Sequence, residues 1–291
     1  MTLKHLKIFV CVAKHENITR ASEELYMTQP AVSLAIKELE EKYNIKLFKR
    51  EKQRIRITDD GKTLLQYANS TLNSYNDFEE VAIKGSKNKN VKIGLSISVG
   101  EKIVPNLFND YENKNYIMFN VSTSDDIIDK VLSLDVDFGI VETPNIDPRL
   151  NVISLISDEI ILVASKTYNV PDEIKIDDLI RYPMLLRNKN TGVRNAFENT
   201  LGLYNIKINP YIESISNTSL IEFAKNGYGI AAIPAIIYND SLDLKIIKLK
   251  DISITRPISL IYKSNNTLSD EEEKLIEYII KNISATNSCL N

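Results

Sequence analysis

Histidine, cysteine and glycine are scarce in this 291-residue chain, and each scarcity excludes some chemistry. The two histidines, His5 and His15, both lie near the start, so no Ser-His-Asp triad can be built from the rest. The two cysteines, Cys11 and Cys289, are far apart in sequence and too few for a disulfide framework. Without a Cys/His cluster, no metal site and no cofactor are expected. The nine glycines form neither a GxxxxGKS/T phosphate loop nor a GxGxxG fingerprint. The nearest approach, GYGIAA at 227–232, lacks a third glycine. No run reaches the roughly 18 uncharged apolar residues of a membrane span. Lys4, His5, Lys7 and Lys14 break up the first apolar segment, which therefore differs from a signal peptide. A cytoplasmic protein with no membrane partner is expected.

What is present suits a folded chain. Apolar residues make up 43% and charged residues 26%, and the length fits two domains of about 100–200 residues each. The net charge of −3 is unevenly spread. Residues 1–90 carry 16 Lys and Arg against 12 Asp and Glu, while the remainder carries 20 against 27. Lys46, Lys49, Arg50, Lys52, Arg54, Arg56 and Lys62 form the densest basic cluster. A basic N-terminal third on an acidic body points to an anionic polymer as partner of the first part.

The first sixty residues read as three helices and a wing. Leu3, Leu6, Phe9, Val10 and Ala13 recur at helical spacing. Asn17 is a good cap for a short second helix carrying Ile18, Ala21 and Leu25. After Tyr26-Met27, Thr28 is the next cap, and Pro30 falls in a first turn that tolerates it. At about 100° per residue, Val32, Ile36, Leu39 and Tyr43 form a core stripe. Pro30, Leu34 and Lys37 point away from it, with Gln29 and Ser33 on a flank. This is a helix-turn-helix whose third helix offers its first turns to a DNA major groove. The alternation Arg54-Ile55-Arg56-Ile57 marks a half-buried strand of a small wing suited to phosphates.

The string NITRASEELYMTQPAVSLAIKELEEKYNIKLFKR…RITDDGKTLL resembles the N-terminal domain of LysR-type transcriptional regulators. The pieces that carry the resemblance are A-x-x-L from Ala21, TQPAVS at 28–33, I-x-x-LE at 36–40, LF-x-R at 47–50 and T-x-x-G at 58–61. Leu34 and Ala35 stand where the family often has Arg and Gln, and Leu34 offers a thymine methyl an apolar contact instead. The resemblance implies a winged helix-turn-helix, mainly α, followed by a long linker helix. Gln29, Pro30, Ser33 and Leu34 are expected at bases, with Thr28, Lys37, Arg50, Arg54 and Arg56 at phosphates.

Leu64, Ala68, Leu72, Tyr75, Phe78 and Ala82 mark one helix over 58–84. Its stripe either joins two copies of the chain, as the resemblance implies, or packs on the chain's own body. GSKNKN at 85–90 reads as a hinge. Beyond Val91, short β-type runs alternate with helical stretches at 101–113, 125–134, 193–203, 217–226 and 269–284. That pattern predicts an α/β domain with largely parallel sheets and two lobes. It is similar to the family's effector-binding domain, itself similar to periplasmic solute-binding proteins. The expected division is 1–58 for DNA binding, 59–90 for linker and hinge, and 91–291 for the effector. Lobe I of the last is expected at about 91–163 and 262–291, and lobe II at about 164–261.

Hydroxyls and amides cluster where strands give way to helices: Ser96 and Ser98, Thr123 and Ser124, Thr191 with Arg194, and Asn217 with Thr218. Each cluster either caps its helix or faces a ligand in a cleft between lobes. Arg194 is the one cation candidate near them, and Glu142 either accepts a ligand's donor group or excludes anions. The expected function is a sequence-specific transcription regulator, not an enzyme, whose small polar or anionic effector acts on operator DNA binding. Its expected partners are double-stranded operator DNA, that effector, a second copy through the linker helix and a dimer of dimers, with RNA polymerase a further candidate. The alternative is a small-metabolite enzyme or solute-binding sensor with an appended DNA-binding adaptor. As an enzyme it would rely on Lys, acid or Ser chemistry, with Lys102 the best base.

Overall fold

The structure is a computed structural model that describes residues 1–51, 54–84, 90–109, 111–112, 114–142, 146–189, 191–250, 252–264 and 266–288. Lys52, Cys289 and hinge residues 85–89 fall outside these. The chain divides into two compact units, Met1–Asn90 with Asp129–Val136, and Val91–Ile128 with Asp137–Asn291.

The first unit opens with α1 (Leu3–His15), α2 (Ile18–Glu24) and α3 (Gln29–Tyr43). Asn17 caps α2 as expected, its side chain accepting from the Arg20 N–H at 3.1 Å. The turn before α3 is tight because Tyr26 takes a left-handed conformation, φ 52°, with its ring 98% exposed. Val32, Ala35, Ile36 and Leu39 of α3 are buried with Leu6, Phe9 and Val12 of α1. Each large apolar side chain so buried contributes about 1.5–3 kcal/mol. The expected stripe needs one correction: Tyr43 is 48% exposed. It sits on the last helical turn before Asn44, which closes α3 at φ 50°.

The wing is β1 (Phe48–Glu51) and β2 (Arg54–Ile57), antiparallel, with Phe48 opposite Ile57 and Arg50 opposite Ile55. Two family pieces have a clear physical role here. Glu40 accepts from the backbone N–H groups of Leu47 and Phe48 at 2.9 and 3.2 Å, fixing the chain as it enters β1. Thr58 Oγ1 accepts from the Gly61 N–H at 2.9 Å and caps α4 (Asp59–Lys84). Gly61 packs so closely on the Leu47 carbonyl that any side chain there would collide with it.

Along α4, Ala68 and Leu72 are buried against the helical core, but Phe78 is 69% exposed. Val81 and Ile83 are exposed too. The stripe is therefore half packed on its own unit and half uncovered.

The second unit contains β3 (Val91–Ser96), α5 (Val104–Leu107), β4 (Ile117–Ser122), the first half of α6 (Ser124–Leu132), β5 (Phe138–Val141) and β6 (Leu150–Ser165). There follow β7 (Glu173–Ile174), β8 (Met184–Arg187), α7 (Gly192–Leu203), β9 (Ile212–Ser214), α8 (Asn217–Lys225) and β10 (Ile230–Pro234). It ends with β11 (Leu244–Leu249), β12 (Thr255–Lys263) and α9 (Asp270–Ser288). The strand order is β4-β3-β5-β12-β6-β10-β8-β9, with β11 on β6 and β7.

The sheet is mixed, not largely parallel. β3 runs parallel to β4 and β5, and β8 parallel to β9 and β10. β12 is antiparallel to β5 and β6, and β6 antiparallel to β10 and β11. The reason is β6, whose 16 residues serve both halves. Its stretch from Leu150 to Glu159 pairs with β12, and Ile160–Val163 pairs with β10. β6 thus changes partner between Glu159 and Ile160.

A second correction concerns 101–113. Residues Val99–Ile103 form a π-helical turn and α5 ends at Leu107. Pro105 lacks the N–H that an α register would direct at the Glu101 carbonyl, so a regular helix cannot run through it.

Candidate functional site

Two surfaces carry functional side chains. The first is the opening of α3. Thr28, Gln29, Pro30, Ser33, Leu34 and Lys37 are all exposed, Leu34 at 56%. Thr28 forms no side-chain cap bond, and Pro30 sits in the first turn. The expected reading face is thus brought together on one helix. Lys37 pairs with Glu41 at 3.4 Å, an exposed pair worth little. Tyr26, read from sequence only as a connection, stands beside this face as its most exposed aromatic among the described residues.

On the wing, cross-strand partners share a face. Arg50 therefore lies on the side of Ile55, and Arg56 on the side of Lys49. Arg50 is exposed. The Arg56 guanidinium meets the Glu16 carboxylate, which also accepts from the Ile57 N–H at 3.3 Å. Arg56 is thus a brace between the wing and the end of α1. Arg54 lies on β2, opposite Glu51. Cys11, His15 and Glu24 come within 4.8 Å of one another nearby. Glu24 is held there by Lys14 at 2.9 Å and by His15 at 2.5 Å, which keeps its carboxyl below the ordinary range.

The second surface is a cleft of about 310 Å³ in the other unit. Its lining includes Ser96, Ser98, Thr123, Ser124 and Thr191. Three of the four hydroxyl clusters expected from sequence therefore meet. They also cap: Thr123 accepts from the Asp126 N–H at 3.3 Å, and Thr191 from the Arg194 N–H at 3.4 Å. Capping and lining are served by the same hydroxyls. Ser124 Oγ accepts from the Glu142 N–H at 3.2 Å, which leaves its own proton for another acceptor.

Asn217 and Thr218 are not part of this lining. Asn217 is buried with both amide atoms unpartnered among the described residues, and Thr218 is exposed.

Arg194 is not in the cleft either. It is 2% exposed, donates to Glu198 at 2.7 Å and Glu213 at 3.1 Å, and holds the Arg187 carbonyl at 3.0 Å. It ties α7 to the ends of β8 and β9.

The cations of the cleft are Arg187 and Arg256, neither singled out from sequence. Arg256 bridges Glu142 and Asp158, both at 2.7 Å, and all three are buried. Burial pushes the Asp158 carboxyl up despite the guanidinium beside it. Arg187 ends β8 at 4% exposure, its Nε without a partner among the described residues, and burial pushes its pKa down. Glu142 Oε1 and Ser96 Oγ are likewise buried and unpartnered among the described residues. Short β-type runs announce strands, not which of their cations face a cleft. Only the pairing of β12 with β6 brings Arg256 beside Asp158.

Gly192 sets the approach of α7. Its α-carbon lies against the Glu142 carbonyl, where a methyl group would collide with backbone.

With both surfaces in view, the class is a DNA-binding head joined to a solute-receptor-like α/β body. Residues 3–62 match the family described as "Bacterial regulatory helix-turn-helix protein, lysR family", and residues 84–284 match "LysR substrate binding domain". The chain belongs to the LysR family of transcriptional regulators: it binds DNA and carries an effector-binding domain. It is 32% identical to the uncharacterized HTH-type transcriptional regulator YoaU of Bacillus subtilis, over 96% of this chain and 98% of that one. Its fold is similar to full-length CbnR complexed with target DNA, with a TM-score of 0.62 at 16% identity, covering 98% of this chain and all of that one. It is also similar to the effector-binding domain of QuiR in complex with shikimate, with a TM-score of 0.61 at 18% identity, covering 68% and 98%. Among the described residues, no helix is long and apolar enough to cross a membrane.

Proposed function

We propose that this regulator reads operator DNA with the opening of α3 and senses a small molecule in the cleft lined by Ser96, Ser98, Thr123, Ser124, Thr191 and Arg187. Gln29, Pro30, Ser33 and Leu34 meet base edges in the major groove. Thr28, Lys37, Arg50 and Arg54 hold phosphates, and Arg56 contributes there from its brace with Glu16. The single observation that carries this reading is the exposure of every one of the six expected α3 residues on a helix whose other face is buried.

A second copy of the chain covers the open half of the α4 stripe. Phe78, Val81 and Ile83 support this, as does an apolar groove of about 900 Å³ lined by Met1, Leu6, Tyr43, Leu64 and Tyr67. Such dimers pair into tetramers and meet RNA polymerase at the promoter. Units 1–58, 59–90 and 91–291 bind DNA, join copies and bind effector. The sensing domain has two lobes, about 91–163 with 262–291 and about 164–261. The body senses and does not catalyse: no histidine follows residue 15, and Lys102 does not line the cleft. Effector and operator affinities are coupled reciprocally.

Fluorescence anisotropy of the full-length protein on the promoter region beside its own gene tests this. Salt-dependent binding with at least about a thousandfold preference over random duplex is expected. Equal affinity for both would refute it.

A further inference from the structure

Four buried polar atoms of the cleft residues have no hydrogen-bond partner among the described residues: Arg187 Nε, Ser96 Oγ, Glu142 Oε1 and Arg256 Nη2, the last lying 2.7 Å from the Asp158 carboxylate as an ion pair. An unmet buried polar group costs about 1–3 kcal/mol, and more when charged. Their demands differ in kind. Arg187 needs an acceptor, and its charge calls for an anion. Ser96 Oγ donates or accepts. Glu142 Oε1 needs a donor, because an ionised carboxylate only accepts.

The positions of these demands narrow the ligand further. Glu142 Oε2 is already spent on Arg256, which is itself shared with Asp158. Of the two cleft cations, Arg256 is shared between two carboxylates, so a second negative charge beside Glu142 Oε1 would have Arg187 alone to offset it. Thr191, Gly192 and Val193 place the opening of the 12-residue α7 on the same cleft, and its N-terminal dipole favours an anion near Arg187. Arg187 and Glu142 line the same cleft, so one small ligand can meet the acceptor and the donor demand together.

We propose that the effector is a small α-hydroxy or α-amino monocarboxylate, its carboxylate on Arg187 and the adjacent hydroxyl or amine donating to Glu142 Oε1. This rests on the reading of the cleft as the effector site and deepens it. Glu142 is the selectivity element: it rewards the donor and repels dianions such as phosphate and sulfate. Ser96 and Ser124 supply hydroxyl protons to the carboxylate, and the Glu142–Arg256–Asp158 chain fixes the direction of the Glu142 oxygens.

Isothermal titration of the full-length protein with glycerate, lactate, serine, propionate, inorganic phosphate and sulfate tests this. At least one of the first three is expected to bind about tenfold or more tightly than propionate, phosphate or sulfate. Glu142→Gln is expected to narrow the preference over propionate to within about threefold and to strengthen phosphate binding. Arg187→Gln is expected to weaken the carboxylates about tenfold or more. Urea unfolding of each variant reports whether it folds, and the ranking on unsubstituted protein stands without any variant. The proposal is overturned if phosphate or sulfate binds best, if propionate equals the donor-bearing acids, if none of the six binds, or if folded Glu142→Gln keeps the ranking. The failure of the cleft reading looks different. A donor-bearing acid would then bind tightly but ignore both Arg187→Gln and Thr191→Val, and so sit elsewhere. A dianion that is lost on Arg187→Gln would keep the cleft and discard only the ligand class.

Discussion

The helices α3 and α7 begin alike. Each has a threonine at its cap, Thr28 or Thr191, in extended conformation, and a small or ring-constrained residue in its first turn. Their surroundings are opposite. The first turn of α3 projects into solvent. Gly192, Val193 and Arg194 of α7 are buried, and Gly192 lies against the Glu142 peptide. One opening turn is suited to reading an outside surface and the other to gripping something enclosed. Local sequence sets where each helix starts, and burial decides what its start is for.

Five substitutions would sharpen or break that contrast. The largest effect is expected in the enclosed region. Arg256→Ala strands Glu142 and Asp158 as buried carboxylates and is expected to cost about 3–5 kcal/mol, read as a lower urea midpoint. A loss under about 1 kcal/mol would mean that water screens the cluster. Gly192→Ala is expected next, at about 1–3 kcal/mol, because the added methyl meets backbone rather than a flexible side chain. A calorimetric melt unchanged by that methyl would show that α7 can withdraw freely.

In the exposed region, stability should barely move while binding does. Gln29→Ala and Ser33→Ala are each expected to weaken operator binding by about 1–2 kcal/mol, with melting unchanged and random-duplex affinity within about twofold. Equal losses on both duplexes would place these residues at phosphates instead. The smallest effect belongs to Arg50→Ala, expected to weaken both duplexes and to flatten the salt slope by about one unit. An unaltered slope would take Arg50 off the DNA.

The same contrast governs what could be read in the sequence. The helix-turn-helix was legible because its instructions are local: Asn17 caps where expected, and the long helix spans Asp59–Lys84 against an expected 58–84. Much of the cleft was legible too, since hydroxyls at strand-to-helix junctions follow from chain order. The cations were not. Arg194 looked available beside Thr191, yet Glu198 and Glu213 claim it from one turn away and from β9. Arg256 enters only through a strand pairing about a hundred residues distant in sequence. The short strands β7 and β9 carry too few residues for any alternation to stand out. Tyr43 failed as a core residue because helical periodicity says which way a side chain faces, not where the neighbouring surface ends.

The long strand β6 has a mechanical consequence. A receptor whose lobes hang on flexible joints can gape widely between its open and closed forms. Here a single ribbon of 16 residues is stitched to β12 along Leu150–Glu159 and to β10 and β11 beyond it. Wide gaping would tear those stitches, whereas a small torsion of the ribbon keeps them. The pairings on both stretches of β6 therefore resist any movement that pulls those stretches apart.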